Sequence, residues 1–422
     1  MPSENRALFL LSLVTVLGLL MVSGTPGCSG DGPRAAAGPL RWFKGNTHTH
    51  SLWSDGDAAP ELIADWYKTH GYDFLVLSDH NILLEGEKWV TVGSGKKEAL
   101  PGHVEDLVRR FGASAVDLRE TAGTKEMRLH TLSELRRQFE EPGKFLFIHG
   151  EEITDKAVLQ KPDGKLLEAP IHHGSFNHVH FIPPPGGATV REVLERTIVA
   201  VEAEAKKCGK PVLVHLNHPN FGWGVTPDDI AYVLGERYFE VYNGHRSVRN
   251  YGDAEHPSTE TLWDYVLSLR LTKLGGPPLY AFATDDAHNY HQEQAMANPG
   301  RGWVMVRAGA LDADALTEAM QRGDFYSTSG VVLDEITATR ESLTIRIATR
   351  PEVRYTTKFI GTRRGGNPGE LFQETEGAVA AYRFKGDEVY VRATVVSTAP
   401  HPNGYAKTDV QTAWVQPVLL HR

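Results

Sequence analysis

Cysteine is almost missing. Cys28 and Cys208 are the only two in 422 residues, which excludes a disulfide-stapled scaffold and any four-cysteine zinc module. Positive charge is not in surplus either. The 44 Lys and Arg stand against 53 Asp and Glu, a formal net charge of −9, so nothing is spare to neutralise a nucleic-acid backbone and no nucleic-acid partner is expected. One long apolar run, Ala7–Val22, stands near the N-terminus, and the lack of others excludes a polytopic membrane protein. At 41% hydrophobic and 23% charged residues the chain is not disordered and is long enough for two domains. There is no P-loop, no Gly-rich dinucleotide turn, no Gly-x-Ser-x-Gly elbow and no paired catalytic cysteine. Histidine is what abounds. Of 19, 17 lie between His48 and His291, a concentration that points to a metal site before any motif is considered.

The apolar run follows Arg6 and precedes small residues, Ser23 to Gly27, and then Cys28. Its 16 residues are short for a bilayer span and fit the core of an export signal over residues 1–28. Gly27-Cys28 behind such a run resembles a bacterial lipoprotein processing site, which would anchor the mature chain to a membrane through Cys28. Ordinary cleavage within Ser23–Gly30 is the alternative, with Cys28 incidental. Residues 29–39 read as a flexible linker. The expected location is outside the cytoplasm: periplasmic, secreted or at the cell surface. Cys208 reads as an inert thiol near a helix end.

From residue 40 to about 330, short β-rich runs alternate with amphipathic stretches. Strands are expected over Asp73–Ser78, Lys144–Ile148, Val179–Ile182, Pro211–Leu216, Tyr238–Tyr242, Leu279–Thr284 and Trp303–Val306. Helices are expected over Pro60–His70, Val190–Lys207, from Thr226 onward, over Thr259–Leu271 and over Ala313–Gln321. Repeated βα units imply an α/β fold with a parallel sheet, either a barrel or a doubly wound sheet. Residues 82–141 read as a polar, helix-leaning insertion over the barrel mouth. Beyond Gly330, residues 331–422 alternate like strands between Gly- and Pro-rich turns, the pattern of a small antiparallel β domain.

The chemistry falls at strand ends, where a parallel βα fold builds its sites. His48 and His50 are two apart on an extended segment and project to one side. Asp79-His80 follows DFLVLS, Glu151-Glu152 follows KFLFI and His149-Gly150, His178 and His180 bracket Val179, His218 follows PVLVHL, and Asp286 and His288 follow YAFAT. Unrelated capping or core histidines would have to gather at half a dozen strand ends together to explain this otherwise. Asp55, alone, would be turn chemistry in Ser54-Asp55-Gly56. Glu240, Asn243, His245, Arg246 and Arg249 follow a further strand, and with Arg301 they are candidates to face a substrate, Arg246 and Arg301 foremost.

The ordered set His48-Thr49-His50-Ser51, Ser54-Asp55-Gly56, Ser78-Asp79-His80-Asn81, Gly150-Glu151-Glu152-Ile153-Thr154, His218-Pro219 and Asp286-Ala287-His288 resembles the polymerase-and-histidinol-phosphatase (PHP) family over residues 44–330. The resemblance implies a distorted (β/α)7 barrel holding two or three divalent ions. By it, His48, His50, Glu152 and Asp286 would hold the first ion. Glu152 would bridge to a second, shared with His178 and His218, and Asp55, His80 and His288 would hold a third. Glu151 competes with Glu152, which the family pattern Gly-x-Glu-Ile/Val favours. His180 competes with His178, and Asp55 stands where several relatives carry His. His215 reads as core.

Imidazole with carboxylate suits Zn²⁺, Mn²⁺ or Fe²⁺. Two close cations activate a bridging water as hydroxide and hold phosphoryl oxygens, so no protein nucleophile is needed. The expectation is a metal-dependent phosphoesterase acting on a small phosphoester. The alternatives are a hydrolase of a carbamate, amide or other non-phosphate ester, and a non-catalytic metal-binding surface module.

Overall fold

The computed structural model describes residues 38–420, except 96–97, 161–163 and 405. The export signal, Cys28 and most of the linker lie outside the described residues. Among those residues, no helix is long and apolar enough to cross a membrane.

Two strands and a helix begin the fold: β1 (Arg41–Asn46), α1 (Pro60–Thr69) and β2 (Phe74–Leu77). Pro60 at the first helical turn starts α1, and Leu62, Ile63 and Tyr67 form its buried face. The insertion carries more helix than strand, as expected, and adds a sheet that was not expected. Its strands β3 (Lys88–Thr91), β4 (Leu118–Thr121) and β5 (Thr124–Leu129) make a small antiparallel sheet beside α2 (Pro101–Phe111) and α3 (Leu132–Phe139). Val90, Val104, Leu107, Met127 and Leu135 share a core with α1, and Trp53 Nε1 donates to His130 O at 3.0 Å.

There follow β6 (Leu146–Gln160), β7 (Leu166–Phe176), α4 (Val190–Cys208), β8 (Leu213–Leu216), α5 (Pro227–Tyr232), β9 (Tyr238–Asn243), α6 (Thr259–Leu269), β10 (Tyr280–Thr284), β11 (Trp303–Ala308), α7 (Ala313–Gln321) and β12 (Phe325–Thr328). Thr189 and Thr226 cap α4 and α5 through the third helical N–H, and Gly209 ends α4 with left-handed φ 64 and ψ 27. The seven strands β10-β9-β8-β7-β6-β2-β1 are neighbours in that order. All their pairings are parallel except the two of β7, which runs against its neighbours.

That reversal corrects the expectation of a wholly parallel sheet. It also replaces the strand expected over Val179–Ile182, where the chain is irregular. The sequence of β7, LLEAPIHHGSF, carries Pro170 and little β-branching. Pairing with β6 in continuous register from Gly150↔Phe176 to Gln160↔Leu166 makes it a strand nonetheless. Pro170 sits where β6 is its one flanking strand, because β8 reaches only residues 173–176.

No ladder among the described residues closes the sheet into a barrel. The sheet does curl: Phe43, Phe74, Val76, Ile148, Phe176, Leu213, Tyr238 and Phe282, drawn from all seven strands, form one buried cluster with Leu316 and Met320 of α7. A single parallel bridge, Thr49 to Ala287, links the chain beyond β1 to the chain beyond β10, with His50 N–H donating to Ala287 O at 2.9 Å.

On its other side β1 pairs with β11, β11 with β12, and β12 with β19 (Val410–Leu419). Three more C-terminal strands, β15 (Tyr355–Arg363), β16 (Glu370–Glu376) and β18 (Glu388–Pro400), extend the same sheet in the order β19-β18-β15-β16. The remaining strands, β13 (Leu333–Ala338), β14 (Ser342–Ile347) and β17 (Val379–Arg383), form a separate antiparallel sheet. Leu343, Ile345 and Tyr382 from it pack against Phe359, Val391 and Val395.

Candidate metal centre

The donors converge at one end of the curled sheet, beyond its aromatic plug. Glu152 is the hub. Its buried carboxylate has five imidazole nitrogens around it: His80 Nδ1 at 2.6 Å, His172 Nδ1 at 3.2 Å, His48 Nε2 and His218 Nε2 at 3.3 Å, and His50 Nε2 at 3.5 Å. Asp286 is the second carboxylate, with His48 Nε2 and His50 Nε2 each at 3.3 Å, His288 Nδ1 at 3.5 Å and His218 Nε2 at 3.9 Å. Asp55, at the rim, faces His288 at 3.3 Å and His50 and His80 at 3.6 Å. The atoms fall into four interlocking sets able to hold a metal: His48/His50/Glu152, His48/His218/Asp286, His80/Glu152/His172 and His50/Asp55/His80/His288.

Buried carboxylates around this cluster fix it from behind. Glu240 accepts from His48 Nδ1 at 2.7 Å, from His218 N at 2.8 Å and from Thr284 Oγ1 at 2.7 Å. With its Nδ1 proton committed to Glu240, His48 aims Nε2 at the centre, the arrangement that carboxylates impose on ligating histidines. Asp79 accepts from Ser51 N, Ser51 Oγ and Ser54 Oγ at 2.6–2.8 Å and so shapes the turn that presents Asp55. Asp285 accepts from Asn46 Nδ2, Tyr67 OH and the N–H groups of Arg301 and Gly302, at 2.6–2.9 Å, which pins the segment carrying Asp286. Asn217 spans the middle, donating to Glu152 Oε1 at 2.8 Å and accepting from Gly174 N at 3.0 Å. Asn81, His218 and Asp286 hold left-handed φ values of 50, 26 and 48, a conformation that non-glycine residues keep only where their surroundings enforce it.

The electrostatics ask for a cation. Burial opposes charge on His48, yet Asp286, Glu240 and Glu152 outweigh it and hold its pKa well above the usual imidazole value. Burial, with His288 and His80 alongside, pushes His50 down to about 3. Burial alone would raise Glu152, but His80, His48 and His172 hold it well below the carboxylate range; His48, His50 and His288 do the same for Asp286. His48 Nε2 and His50 Nε2 lie 3.1 Å apart, a gap with room for one shared proton. His172 Nδ1 is buried without a hydrogen bond, although Glu152 Oε1 is 3.2 Å away. Imidazole nitrogens crowded around buried carboxylates form a donor set suited to divalent ions.

Eight of the nine residues expected as ligands meet here: His48, His50, Asp55, His80, Glu152, His218, Asp286 and His288. His178 does not. Its Nδ1 faces His180 O at 3.0 Å and its Nε2 faces Ser175 O at 3.1 Å. The cause is the direction of β7. In a reversed strand, the residues that follow its C-terminus lie at the opposite end of the sheet, next to Leu213 at the start of β8. The middle of β7 faces the centre instead, and His172, not His178, stands beside Glu152. The neighbouring His173 points to the other face and pairs with buried Glu236 at 2.8 Å. The sequence held a signal for this: Asp163-Gly164 between two extended runs is a hairpin pattern. Glu151 points away, accepting from Ile182 N at 2.8 Å, with burial raising its pKa to about 8.

Neither arginine faces the centre. Arg301 is buried and donates to the carbonyls of Gly244, Ala295, Met296 and Asn403 at 2.7–2.8 Å. Arg246 donates to Gln294 O at 2.7 Å, Gln294 Oε1 at 3.0 Å and Gly404 O at 3.3 Å. Both bind loops together. His245 does approach, its ring 5.4 Å from that of His288.

No family model matches the chain, and no curated protein does. Solved structures give distant likenesses. A two-domain protein from Bacteroides vulgatus containing a predicted PHP-like metal-dependent phosphoesterase aligns with TM-score 0.40 and 16% identity, covering 92% of this chain and 100% of that one. A candidate metal-dependent phosphoesterase from Bifidobacterium adolescentis aligns with TM-score 0.32 and 11% identity, covering 69% of this chain and 98% of that one.

Proposed function

We propose that the chain is a metal-dependent hydrolase of a small phosphoester, with two or three divalent ions held by His48, His50, Asp55, His80, Glu152, His172, His218, Asp286 and His288. The observation that carries this reading is the crowding of five imidazoles around the single buried carboxylate of Glu152, the environment of a bridging ligand. Bound divalent ions supply Lewis acidity, lowering the pKa of water and drawing off charge from phosphoryl oxygens. The chain's own residues set the geometry. Glu240 keeps the His48 proton on Nδ1, Asn217 holds Glu152, and Asn243 Nδ2 steadies Asp286 Oδ2 at 3.1 Å. His245 accepts at Nδ1 from Ser247 N at 3.2 Å, so its proton sits on Nε2, available to a substrate oxygen at the mouth. Burial takes the pKa of His245 down to about 4, so its imidazole is neutral there at pH 7.

The test is metal analysis of the purified full chain followed by a panel of phosphomonoesters and phosphodiesters. At least one ion per chain is expected, with turnover lost on chelation and restored by Mn²⁺ or Zn²⁺. Less than one ion per chain under metal-replete conditions would sink the proposal. Metal with cleavage of carbamates or amides alone would move the substrate class and leave the centre standing. We also propose export directed by residues 1–28, supported by the apolar run before Cys28; a reporter fused to residues 1–35 and left wholly in the cytoplasm would refute it.

A further inference from the structure

We propose that His180, Glu204 and Cys208 form a second, separate site for one thiophilic divalent ion of the Zn²⁺ or Cd²⁺ type. The three side chains share no residue with the sets around Glu152. Glu204 and Cys208 stand four apart on α4, hence on one face of that helix, immediately before Gly209 ends it. His180 reaches them from the segment leaving β7. Its position is fixed twice: its N–H donates to Glu204 Oε1 at 2.9 Å, and its carbonyl oxygen lies 3.0 Å from His178 Nδ1.

Three kinds of donor atom meet at one point. His180 Nδ1 lies 2.7 Å and Cys208 Sγ 2.9 Å from Glu204 Oε1, and Sγ and Nδ1 are 3.7 Å apart. Zinc–sulfur and zinc–nitrogen bonds of about 2.3 and 2.0 Å at a tetrahedral angle put two such ligands roughly 3.6 Å apart, so sulfur and nitrogen already stand at ligand spacing. The carboxylate has to retreat by roughly 0.6 Å to admit the ion between the three. Glu204 is 8% exposed and His180 40% exposed, which gives the site a buried anchor and an open side where water completes four-coordination. On binding, the thiol proton leaves to solvent and the imidazole proton moves from Nδ1 to the outward Nε2. The ion then meets one thiolate, one carboxylate and one neutral imidazole. Thiolate selects Zn²⁺, Cd²⁺ and Co²⁺ over Mg²⁺, Ca²⁺ and Mn²⁺, which separates this site from the all-oxygen-and-nitrogen centre at the strand ends.

The experiment titrates Cd²⁺ into the chelator-stripped full-length Cys28→Ser protein and follows the ultraviolet thiolate-to-cadmium charge-transfer band. A band whose final amplitude corresponds to one thiolate-bound Cd²⁺ per chain is expected, whatever number of ions the centre around Glu152 takes up alongside it. Cys208→Ser should abolish it, and His180→Ala and Glu204→Gln should each weaken binding by about 10–100-fold. No band, or a band that survives both His180→Ala and Glu204→Gln unchanged, overturns the proposal, the latter because it reveals a thiol acting alone. Should those variants not fold, alkylation of Cys208 in the Cys28→Ser chain answers instead: Zn²⁺ but not Mn²⁺ should slow it at least tenfold, and no slowing overturns the proposal.

Discussion

Two buried polar networks in this molecule look alike in composition and differ in balance. One surrounds Glu152. The other joins α6 to the C-terminal strands: buried Arg392 donates from Nε to Asp264 Oδ1 at 2.7 Å and from Nη2 to Asp264 Oδ2 at 2.6 Å, and from Nη1 to Thr394 Oγ1 at 2.9 Å and Glu260 Oε2 at 3.3 Å. Tyr390 OH adds a third donor to Asp264 at 2.9 Å, and the guanidinium lies 4.7 Å from the Trp263 ring centroid. Every donor there meets an acceptor. Around Glu152, nitrogens face nitrogens and a buried imidazole atom goes unbonded. A network that satisfies itself is a fastening, and one left unsatisfied is a candidate site for a cation.

The largest expected effect breaks the fastening. Asp264→Ala strips buried Arg392 of its two-pronged carboxylate partner, leaving the 3.3 Å contact with partly exposed Glu260, and should cost about 3 kcal/mol of stability in denaturant unfolding, while folded protein keeps its full metal content. Lost metal in the folded fraction would mean the two networks are not independent. Next, Glu152→Gln should lower turnover by about 10²–10³-fold or more, roughly 3–4 kcal/mol in the barrier, with little change in the stability of the metal-free protein. Glu151→Gln, on a carboxylate turned the other way, should leave turnover near wild type. A smaller effect sharpens the contrast within β7: His172→Ala should weaken metal binding about 10–100-fold by competition with a chelator, whereas His178→Asn should leave it unchanged. The smallest is Glu240→Gln, which keeps shape but loses the charge behind His48. It should reduce metal affinity by about tenfold and be read by the same competition.

How much of this was legible in the sequence follows from where each signal resides. The candidate ligands His80, Glu152, His218 and Asp286 declare themselves because in each case an apolar run stops and a donor follows within a few residues. The His48-x-His50 pair declares itself through its spacing. His172 was hidden because β7 owes its strand state to β6 rather than to its own residues, and its direction decides which of its ends serves the site. Arg301 misled for a related reason. A charged residue in a Gly-rich loop looks solvent-facing, and only the tertiary fold shows four carbonyls enclosing it. The sequence makes Glu240 a candidate substrate contact and marks Asp285 with no role at all. Their partners, His48, Asn46 and Tyr67, lie far away in the chain, and no local pattern announces such pairs. The C-terminal strands were recognisable by alternation, but alternation does not tell which sheet a strand joins, and β19 joins the main one through β12.

The β6–β7 hairpin has a consequence for the order in which the centre is assembled. Glu152 and His172 are 20 residues apart and meet as soon as one antiparallel turn closes, an event on the order of microseconds. His48 and Asp286, 238 residues apart, meet only after a loop of most of the domain has closed, through the Thr49–Ala287 bridge. On that order a half-formed cup, with the Glu152 carboxylate in place and its last wall missing, is expected to precede the complete centre. An ion captured at that stage would be held by few ligands and exchange freely; completion of the β1-to-β10 contact would be the step that traps it.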